Sequence, residues 1–234
     1  SCYVVFLGSA VQTVVPPDGS VGSSQMSSAD LVLPKTVTIG SATEEDTKLV
    51  FDGNAQDFHI GLDDSADSLT IGLGSTLGTT SHMVIDANGH ITKPLQPAFL
   101  VKPTSTQSNV SGSDITIVLD NEIFDQNADF NTSNYTFTAP VTGKYYLSLN
   151  LYVDQMPNDA SYFEPKIVTS NRTYYGATID NEAYDQTVSY LGLSFSLLVD
   201  MDVNDTALCK FTQASGTASA DINVVTTFSG HLVC

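Results

Sequence analysis

The residues of this chain that could take part in acid–base or nucleophilic chemistry are four histidines and a few groups of carboxylates. A nucleophilic triad needs a serine or cysteine beside a histidine with a carboxylate behind it. No nucleophile-elbow motif accompanies His59, His82, His90 or His231. Paired carboxylates at 44–46, 63–64 and 180–182 could serve glycoside hydrolysis, but adjacent aspartates in turns are usually solvated, and the chain has no tryptophan for a sugar platform. The sequence therefore predicts no enzymatic activity and no catalytic residues.

Metal binding is the second chemistry to consider, because oxygen ligands are abundant. Carboxylate and carbonyl oxygens are the ligands that Ca²⁺ prefers. The loop aspartates are scattered and lack the spacing of an EF-hand loop, so solvated side chains are the expectation and the metal-binding residues are unknown. No cofactor is predicted, with calcium kept open as the alternative. The aspartates concerned are Asp125, Asp129, Asp154, Asp159, Asp180 and Asp185.

Recognition of a partner is the third chemistry, and loop composition is its only sequence signal. An exposed tyrosine can stack on a sugar or a protein surface while neighbouring Asn and Asp exchange hydrogen bonds. The segments 156–162 and 181–186 and the polar turn at 171–175 offer this mixture. The alternative is that Tyr146, Tyr174 and Tyr175 pack at a subunit interface. The predicted receptor-contact residues are Asn158, Asp159, Tyr162, Tyr174, Tyr175, Tyr184 and Asp185.

The net charge of −18 excludes one class of partner. Residues 1–96 carry 11 acidic and 3 basic residues, a net −8, and residues 97–234 carry 15 and 5, a net −10. Both halves repel phosphate, so nucleic-acid binding is not expected. No apolar run approaches the roughly 18–20 residues of a membrane span, so membrane insertion is not expected either.

Short hydrophobic runs separated by turn residues predict an all-β fold. From Tyr145 to Val153 the side chains alternate, which predicts a strand with an apolar face and a semi-polar face. The same alternation groups Cys209 with Ala207 and Phe211, so Cys209 is predicted to be a buried structural thiol. The three cysteines, at 2, 209 and 234, are too far apart to indicate a disulfide framework. About nine such strands in 97–234 predict a two-sheet sandwich.

The first half has a different pattern, in which short Gly-containing fragments recur at 38–40, 59–62, 70–73 and 77–78. None has enough apolar surface for a core of its own, so each must bury its face against neighbouring copies or other chains. Residues 31–96 are therefore predicted to form an intertwined β-shaft or a small β-prism. Asn88-Gly89 predicts a tight two-residue hairpin turn. Residues 1–30 are interpreted as the end of an upstream domain and a linker, with Ser1 an internal start, and Pro94 and Pro97 mark the boundary of the last domain.

Five spaced residues in the second half resemble the signature of the complement component 1q globular head, which is related to tumour necrosis factor. They are Asp125, Phe130, Phe137, Gly143 and Tyr145, while Leu119, Leu147 and Leu149 stand where the family prefers aromatic residues. Ala98-Phe99 resembles the opening strand, and 227–232, Thr-Phe-Ser-Gly-His-Leu, resembles the closing one. The resemblance implies that 97–234 form a trimeric jelly-roll knob, and some family members bind calcium near the trimer axis.

Two segments of the first half resemble phage tail-fibre proteins in the region before a terminal knob. They are 48–64 and the Ile-Asp-Ala-Asn-Gly-His-Ile turn at 85–91. The resemblance implies a homotrimeric tail fibre on the virion surface whose knob attaches the particle to a host cell-surface glycan or protein. Other virion proteins would be contacted through the upstream segment. Three alternatives stay open: a capsid (head) fibre or decoration protein, a purely structural trimerisation cap, and a secreted complement-like protein, which the lack of collagen repeats in the sequence disfavours.

Overall fold

The computed structural model describes residues 35–180 and 183–234 and contains strands and turns but no helix in those ranges. None of the described residues therefore belongs to a helix that could span a membrane. The predictions for residues 1–30 lie outside the described residues. Residues 35–46 are exposed and form no strand, so the Thr38-Ile39-Gly40 fragment, predicted to be a strand, is not one.

Residues 47–92 form one antiparallel sheet of five short strands in sequential order. Strands β2 and β3 carry the second and third glycine-containing fragments and pair with each other, so that His59 lies opposite Gly72 and Gly61 opposite Thr70. The predicted pairing between neighbouring fragments is found there, within one chain. The strands are β1 (Thr47–Phe51), β2 (Phe58–Asp63), β3 (Ser68–Leu73), β4 (Ser81–Ile85) and β5 (Ile91–Thr92).

The last hairpin of this sheet corrects the predicted turn. Ile85 pairs with Ile91, and the Asp86 amide donates to the His90 carbonyl over 3.1 Å, so the connection is longer than two residues. Only Gly89 in this loop has a positive φ, of 87°. The Asp86 carboxylate accepts the amides of Asn88 and His90 and contacts the His90 ring at 2.8 Å. These local bonds to Asp86 favour the longer loop, in which a single glycine supplies the left-handed residue.

Residues 98–232 form thirteen further strands, arranged as two packed sheets. They are β6 (Ala98–Lys102), β7 (Gln107–Val110), β8 (Gly112–Thr116), β9 (Asn121–Asp125), β10 (Phe130–Asn131), β11 (Thr136–Thr138), β12 (Gly143–Met156), β13 (Tyr162–Thr169), β14 (Thr173–Tyr175), β15 (Val188–Met201), β16 (Thr206–Ala214), β17 (Ala220–Ile222) and β18 (Thr227–Leu232). We call this part the knob. The prediction of an all-β fold with a C-terminal jelly-roll sandwich is confirmed.

The first sheet of the knob is built around β12. It pairs with β15 along its whole length on one side and with β17 and β18 on the other, while β6 and β9 extend the sheet beyond β18 and β7 lies beyond β17. The second sheet has β16 and β13 at its centre, flanked by β14 on one side and by β8, β10 and β11 on the other. We call them the β12 sheet and the β16 sheet. Their facing sides enclose the core.

The core confirms the alternation read from the sequence. Tyr145, Leu147, Leu149, Leu151 and Val153 are fully buried on one face of β12, and the buried thiol of Cys209 contributes from β16. Burial raises the pKa of the Cys209 thiol well above its ordinary value, so it stays protonated. Strand β8 ends at Thr116, and Ile117 and Leu119 beyond it are also fully buried.

An aromatic cluster closes one end of the core and contains the signature residues. The ring of Phe99 stacks on Phe137 at 4.7 Å and contacts Phe130 and Phe228 at 5.3 and 5.2 Å. The Phe130 amide donates to Asp125 Oδ2 over 2.7 Å, which fixes the corner between β9 and β10. A Cβ on Gly143 would lie 2.6 Å from the Cys234 carbonyl, so the glycine permits the close approach of the C-terminus.

The Phe99→Ala variant tests this cluster. Its ring is fully buried among three others, so truncation should lower the free energy of unfolding by about 3–5 kcal/mol, measured by urea denaturation at fixed protein concentration. The matched variant Phe99→Leu retains most of the apolar volume and should lose less than about 1.5 kcal/mol. Equal losses for the two variants would contradict the packing described here.

Candidate functional site

The two ends of the knob differ in their relation to the rest of the chain. The chain enters at Ala98, opposite His231, and at this same end β12 begins at Gly143 and β15 finishes at Met201. We call this end the base. Met156 pairs with Val188 at the other end, which we call the tip. At about 3.3 Å per residue, the 14 residues of β12 separate base and tip by about 40 Å.

Three loops form the tip, namely 157–161, 183–187 and 215–219. They lie together because β12 ends and β15 begins there, and because β13 begins at Tyr162 opposite Ala214, where β16 ends. Five of the seven predicted contact residues lie at this end. They are Asn158, Asp159, Tyr162, Tyr184 and Asp185.

Asp159 has a structural part in the tip that the sequence did not reveal. Its Oδ1 accepts the Thr217 amide over 2.9 Å, and its Oδ2 accepts the Thr217 hydroxyl over 2.7 Å. The backbone bond from Thr217, followed by the bond from its hydroxyl, lowers the pKa of Asp159 below its ordinary value of 3.8. Gly216, at φ 78°, approaches so closely that a Cβ there would lie 2.7 Å from Asp159 Oδ1. Asp159 therefore holds two tip loops together.

A second residue that sequence reasoning missed supports the tip from below. Gln213 is fully buried, and its Nε2 donates to the carbonyls of Ser215 and Thr217 over 3.1 and 2.7 Å. Ala160 is also fully buried and anchors the middle of the 157–161 loop. The signal in the sequence was a glutamine that continues the alternating face of Ala207, Cys209 and Phe211, two residues before Ser215-Gly216. The tip is thus fixed by hydrogen bonds and burial beneath its surface.

The outward side of the tip carries the remaining predicted residues. Asn158 and Tyr162 are exposed, and Tyr184 is 49% exposed. Tyr184 and Asp185 border a shallow surface depression whose other lining residues are Gln186, Thr187, Val188 and Ser189. Phenol, amide and carboxylate groups are therefore presented to solvent on loops that are held rigid from beneath, which suits hydrogen bonding and stacking with a ligand.

Tyr174 and Tyr175 lie elsewhere, beyond the turn at 170–172. Both residues belong to edge strand β14, which pairs with β13 at Ile167 and Lys166, away from the tip. Tyr174 packs against the core, and the exposed ring of Tyr175 lies 5.4 Å from Lys166 Nζ. Threonine and aromatic residues favour a strand despite the polar composition of 171–175. These two tyrosines do not share a surface with the tip.

The contacts of Lys166 stabilise the edge of the β16 sheet at β14. Its side chain is largely buried, and Nζ contacts Asp114 Oδ1 at 2.8 Å and Glu164 Oε2 at 3.6 Å. Burial acts to lower the pKa of Lys166, but the hydrogen bond and charge of Asp114, with the charges of Glu164 and Tyr175, outweigh burial and raise it. The bond from Lys166 in turn lowers the pKa of Asp114. The charged form of Lys166 is thereby stabilised beside the aromatic ring.

Another aromatic surface lies on the solvent side of the β12 sheet. The Tyr146 hydroxyl donates to Ser196 Oγ over 2.7 Å and its ring contacts His231 at 5.5 Å, while Tyr152 and Tyr190 stack at 6.1 Å. Alternation in the sequence predicted that these side chains lie on the semi-polar side of their strands, but it did not predict which of them meet across neighbouring strands. We call this surface the semi-polar face. The alternative that Tyr146, Tyr174 and Tyr175 pack at a subunit interface stays a prediction.

The base contains a cleft of about 380 Å³ lined by Thr142, Gly143, Lys144, Asn171, Asp200, Met201, Asp202 and Cys234. The nearby carboxylate of Asp205 is occupied, since it accepts the Ser170 hydroxyl over 2.7 Å and the Asn171 amide over 2.6 Å. These bonds, with the Asp202 backbone amide, lower the pKa of Asp205. Across residues 35–180 and 183–234, no group of three or more His, Cys, Asp or Glu residues could hold a metal ion.

Two of the histidines make structural contacts. His59 is fully buried, with Nδ1 2.8 Å from the Gly74 carbonyl oxygen, and His90 contacts Asp86. The prediction that the protein is not an enzyme stays a prediction.

Comparison with known proteins bears on the knob. The C1q domain matches residues 98–233, which is more than half of the chain. Similar solved structures include the globular domain of zebrafish complement 1qA protein, at 16% identity and a TM-score of 0.45 over 59% of this chain and 98% of that one. Murine APRIL at pH 8.5 has 9% identity and a TM-score of 0.42 over 59% and 99%. The PRD1 vertex protein P5 has 10% identity and a TM-score of 0.42 over 60% and 99%.

No curated protein sequence matches the chain. Domains of the C1q type form homotrimers and generally act as binding or structural modules, which supports the predicted homotrimer. The C1q match spans the knob from the start of β6 almost to the last residue, and the chain therefore belongs to the C1q domain family.

Proposed function

We propose that this chain is a trimeric virion fibre protein whose knob binds a receptor, a glycan or a protein, on the surface of the host cell. The observation that carries the proposal is the position of the tip. It lies about 40 Å from the base, where the chain enters the knob, and it carries five of the predicted contact residues. A stalk attached at the base would point the tip outward.

The chemistry of the tip supports recognition rather than turnover. Asn158, Tyr162 and Tyr184 offer amide and phenol groups, and each can exchange hydrogen bonds with a sugar or a peptide. Asp159 and Gln213 hold the loops that carry them, so less conformational entropy is lost on binding. In a trimer, three copies of a weak site on one rigid body would bind with higher avidity than one copy.

The region before the knob supports the fibre assignment. The two segments that resemble phage tail-fibre proteins, 48–64 and 85–91, belong to the five-stranded sheet that directly precedes the knob. Residues 93–97 join that sheet to the base, and Gln126 Nε2 donates to the carbonyls of Lys93 and Gln96 over 2.9 and 2.8 Å. The connection to the knob is therefore short and fixed, as a stalk requires.

A trimerisation cap is the second candidate function. It is favoured by the semi-polar face, an aromatic surface on which Tyr146 contacts His231 and Tyr152 stacks on Tyr190. Such a surface could pack against a neighbouring subunit, and a cap would then need no receptor. Removal of residues 97–234 from the virus separates the two functions. Assembled particles that do not adsorb to cells favour recognition by the knob, whereas misassembled fibres favour the cap.

Tip variants test receptor binding directly. Purified protein added to host cells should slow the adsorption of the virus that carries it, because the two compete for one receptor. Asn158→Ala and Tyr184→Ala should each weaken this competition by about tenfold or more, corresponding to a loss of about 1.4 kcal/mol in the binding free energy of the trimer. The matched control is Tyr175→Ala, which removes an exposed tyrosine from β14 away from the tip. Equal competition by all variants would contradict the proposal.

Asp159→Asn tests the rigidity of the tip. The folded-state pKa of Asp159 lies below 3.8, so its contribution to stability is present above pH 3.8 and is lost as the pH falls through the folded value. In the wild type, amide exchange at 215–217 should therefore accelerate below pH 3.8 after correction for intrinsic rates. The Asn variant should show fast exchange already at pH 7 and no such acid step. An Asn variant whose amide exchange at 215–217 equals that of the wild type at pH 7 would contradict the role of Asp159 in holding the two loops together.

A further inference from the structure

The five-stranded sheet before the knob has one face that is almost entirely apolar. Because directly paired residues share a face, the strand registers define three rows across the sheet. Thr47 is the only polar residue in them, and none is charged. The rows are Phe51, Phe58 and Leu73; Leu49, Ile60, Ile71 and Met83; and Thr47, Leu62, Leu69, Ile85 and Ile91. We call this surface the apolar face.

The apolar face is open to solvent in the single chain. Leu49, Phe51 and Ile91 are each more than half exposed, and Phe58, Leu62 and Leu69 are each exposed by more than two fifths. Five strands spaced about 4.8 Å apart, with about five residues each, give a surface of roughly 20 by 16 Å. A contiguous apolar surface of that extent normally marks an interface rather than a free surface.

Over β2 and β3 the opposite face of the sheet is covered by the same chain, whereas Lys48 and Val50 of edge strand β1 are exposed on that side. His59, Asp63, Ser68 and Thr70 lie there and are buried, although all four are polar. The loop between β3 and β4 crosses this side, where the Gly74 carbonyl contacts His59 and the buried side chain of Leu77 lies against Gly61. At β2 and β3 the sheet has therefore closed its polar side within the chain and left its apolar side for another partner.

Neighbouring copies of this chain fit the apolar face better than an unrelated partner. The knob belongs to a family of homotrimers, so three copies of the sheet are brought to one threefold axis. Each sheet is joined to its base by only residues 93–97, which Gln126 fixes by two hydrogen bonds. Such short tethers give the sheets an effective concentration of roughly millimolar or above.

The distribution of charge also favours a second copy of this chain as the partner of the apolar face. Residues 1–96 carry a net charge of −8, so two copies repel each other wherever their acidic surfaces meet. The apolar face has no carboxylate in any of its three rows, and its contact gains the free energy of apolar burial without desolvating a charge.

We propose that the apolar faces of three copies pack together and form a second trimer interface, separate from the knob. The rows from Leu49 to Met83 and from Phe51 to Leu73 line the contact, and the polar sides with their covering loops face outward. This arrangement gives the predicted β-prism a specific inward face. It does not depend on receptor binding, because assembly is its only consequence.

The variants Leu49→Asp and Val50→Asp test this interface in the full chain. The two residues are neighbours on edge strand β1, are 52% and 40% exposed, and point to opposite faces of the sheet. Leu49→Asp would put three carboxylates into the contact, so the concentration at which half of the chains are trimeric should rise about tenfold or more, as measured by sedimentation. Amide exchange in β2 and β3 should accelerate while the knob strands stay protected. Val50→Asp should match the wild type in both measurements.

A dye that fluoresces on apolar surfaces, 8-anilinonaphthalene-1-sulfonate, tests the wild type without a mutation. We expect a trimer that gives little fluorescence and a Leu49→Asp variant that gives more. Four outcomes would overturn the proposal: a strongly fluorescent wild-type trimer, identical behaviour of the two variants, a dimer, or a non-fluorescent monomer whose own chain covers the face. None of these outcomes affects adsorption to cells. Receptor binding is therefore tested only by the tip variants, and the two proposals can fail independently.

Discussion

The pairing of β12 on both of its edges is the constraint on which the rest of the knob depends. Thirteen residue pairs join it to β15, and β17 and β18 occupy its other edge. A strand that is hydrogen-bonded on both sides cannot shift its register by one residue without moving Tyr145, Leu149 and Val153 out of the core. Its length therefore fixes the separation of base and tip, and its alternation fixes which side chains face the core and which face outward.

The two ends that this strand separates have different physical tasks. The base contains the ring cluster around Phe99 and the close approach at Gly143, where any added volume meets backbone or a buried ring. The tip contains loops whose backbone is supported from below by Gln213 and Asp159, while the side chains of Asn158, Tyr162 and Tyr184 are exposed. Changes at the outward positions of the tip consequently cost little stability, which leaves these positions free to serve recognition.

The sequence predicted those features whose physical cause is local. Alternation along one strand is visible in a few residues, so the core face of β12 and the burial of Cys209 were predicted correctly. The family spacing likewise predicted the sandwich. Features that depend on distant residues were not predicted. Asp159 braces Thr217, which is 58 residues away in sequence, and composition alone suggested a ligand contact. Tyr175 was grouped with the loop residues because of the polar residues near it, whereas its pairing with Lys166 places it on edge strand β14, away from the tip.

The distribution of charge ties the architecture to assembly. With 26 acidic and 8 basic residues, most surfaces of two identical copies repel each other. Among the residues that the structure describes, two surfaces are uncharged. The apolar face has no charged residue in its rows, and the central part of the semi-polar face, from Tyr146 to Tyr152, has Ser148 and Asn150 between the two tyrosines. Bringing copies together at these surfaces avoids both charge repulsion and the cost of desolvating a carboxylate. The acidic residues are then left on the outside, where water and counterions screen them and where they oppose contacts other than those at the two uncharged surfaces.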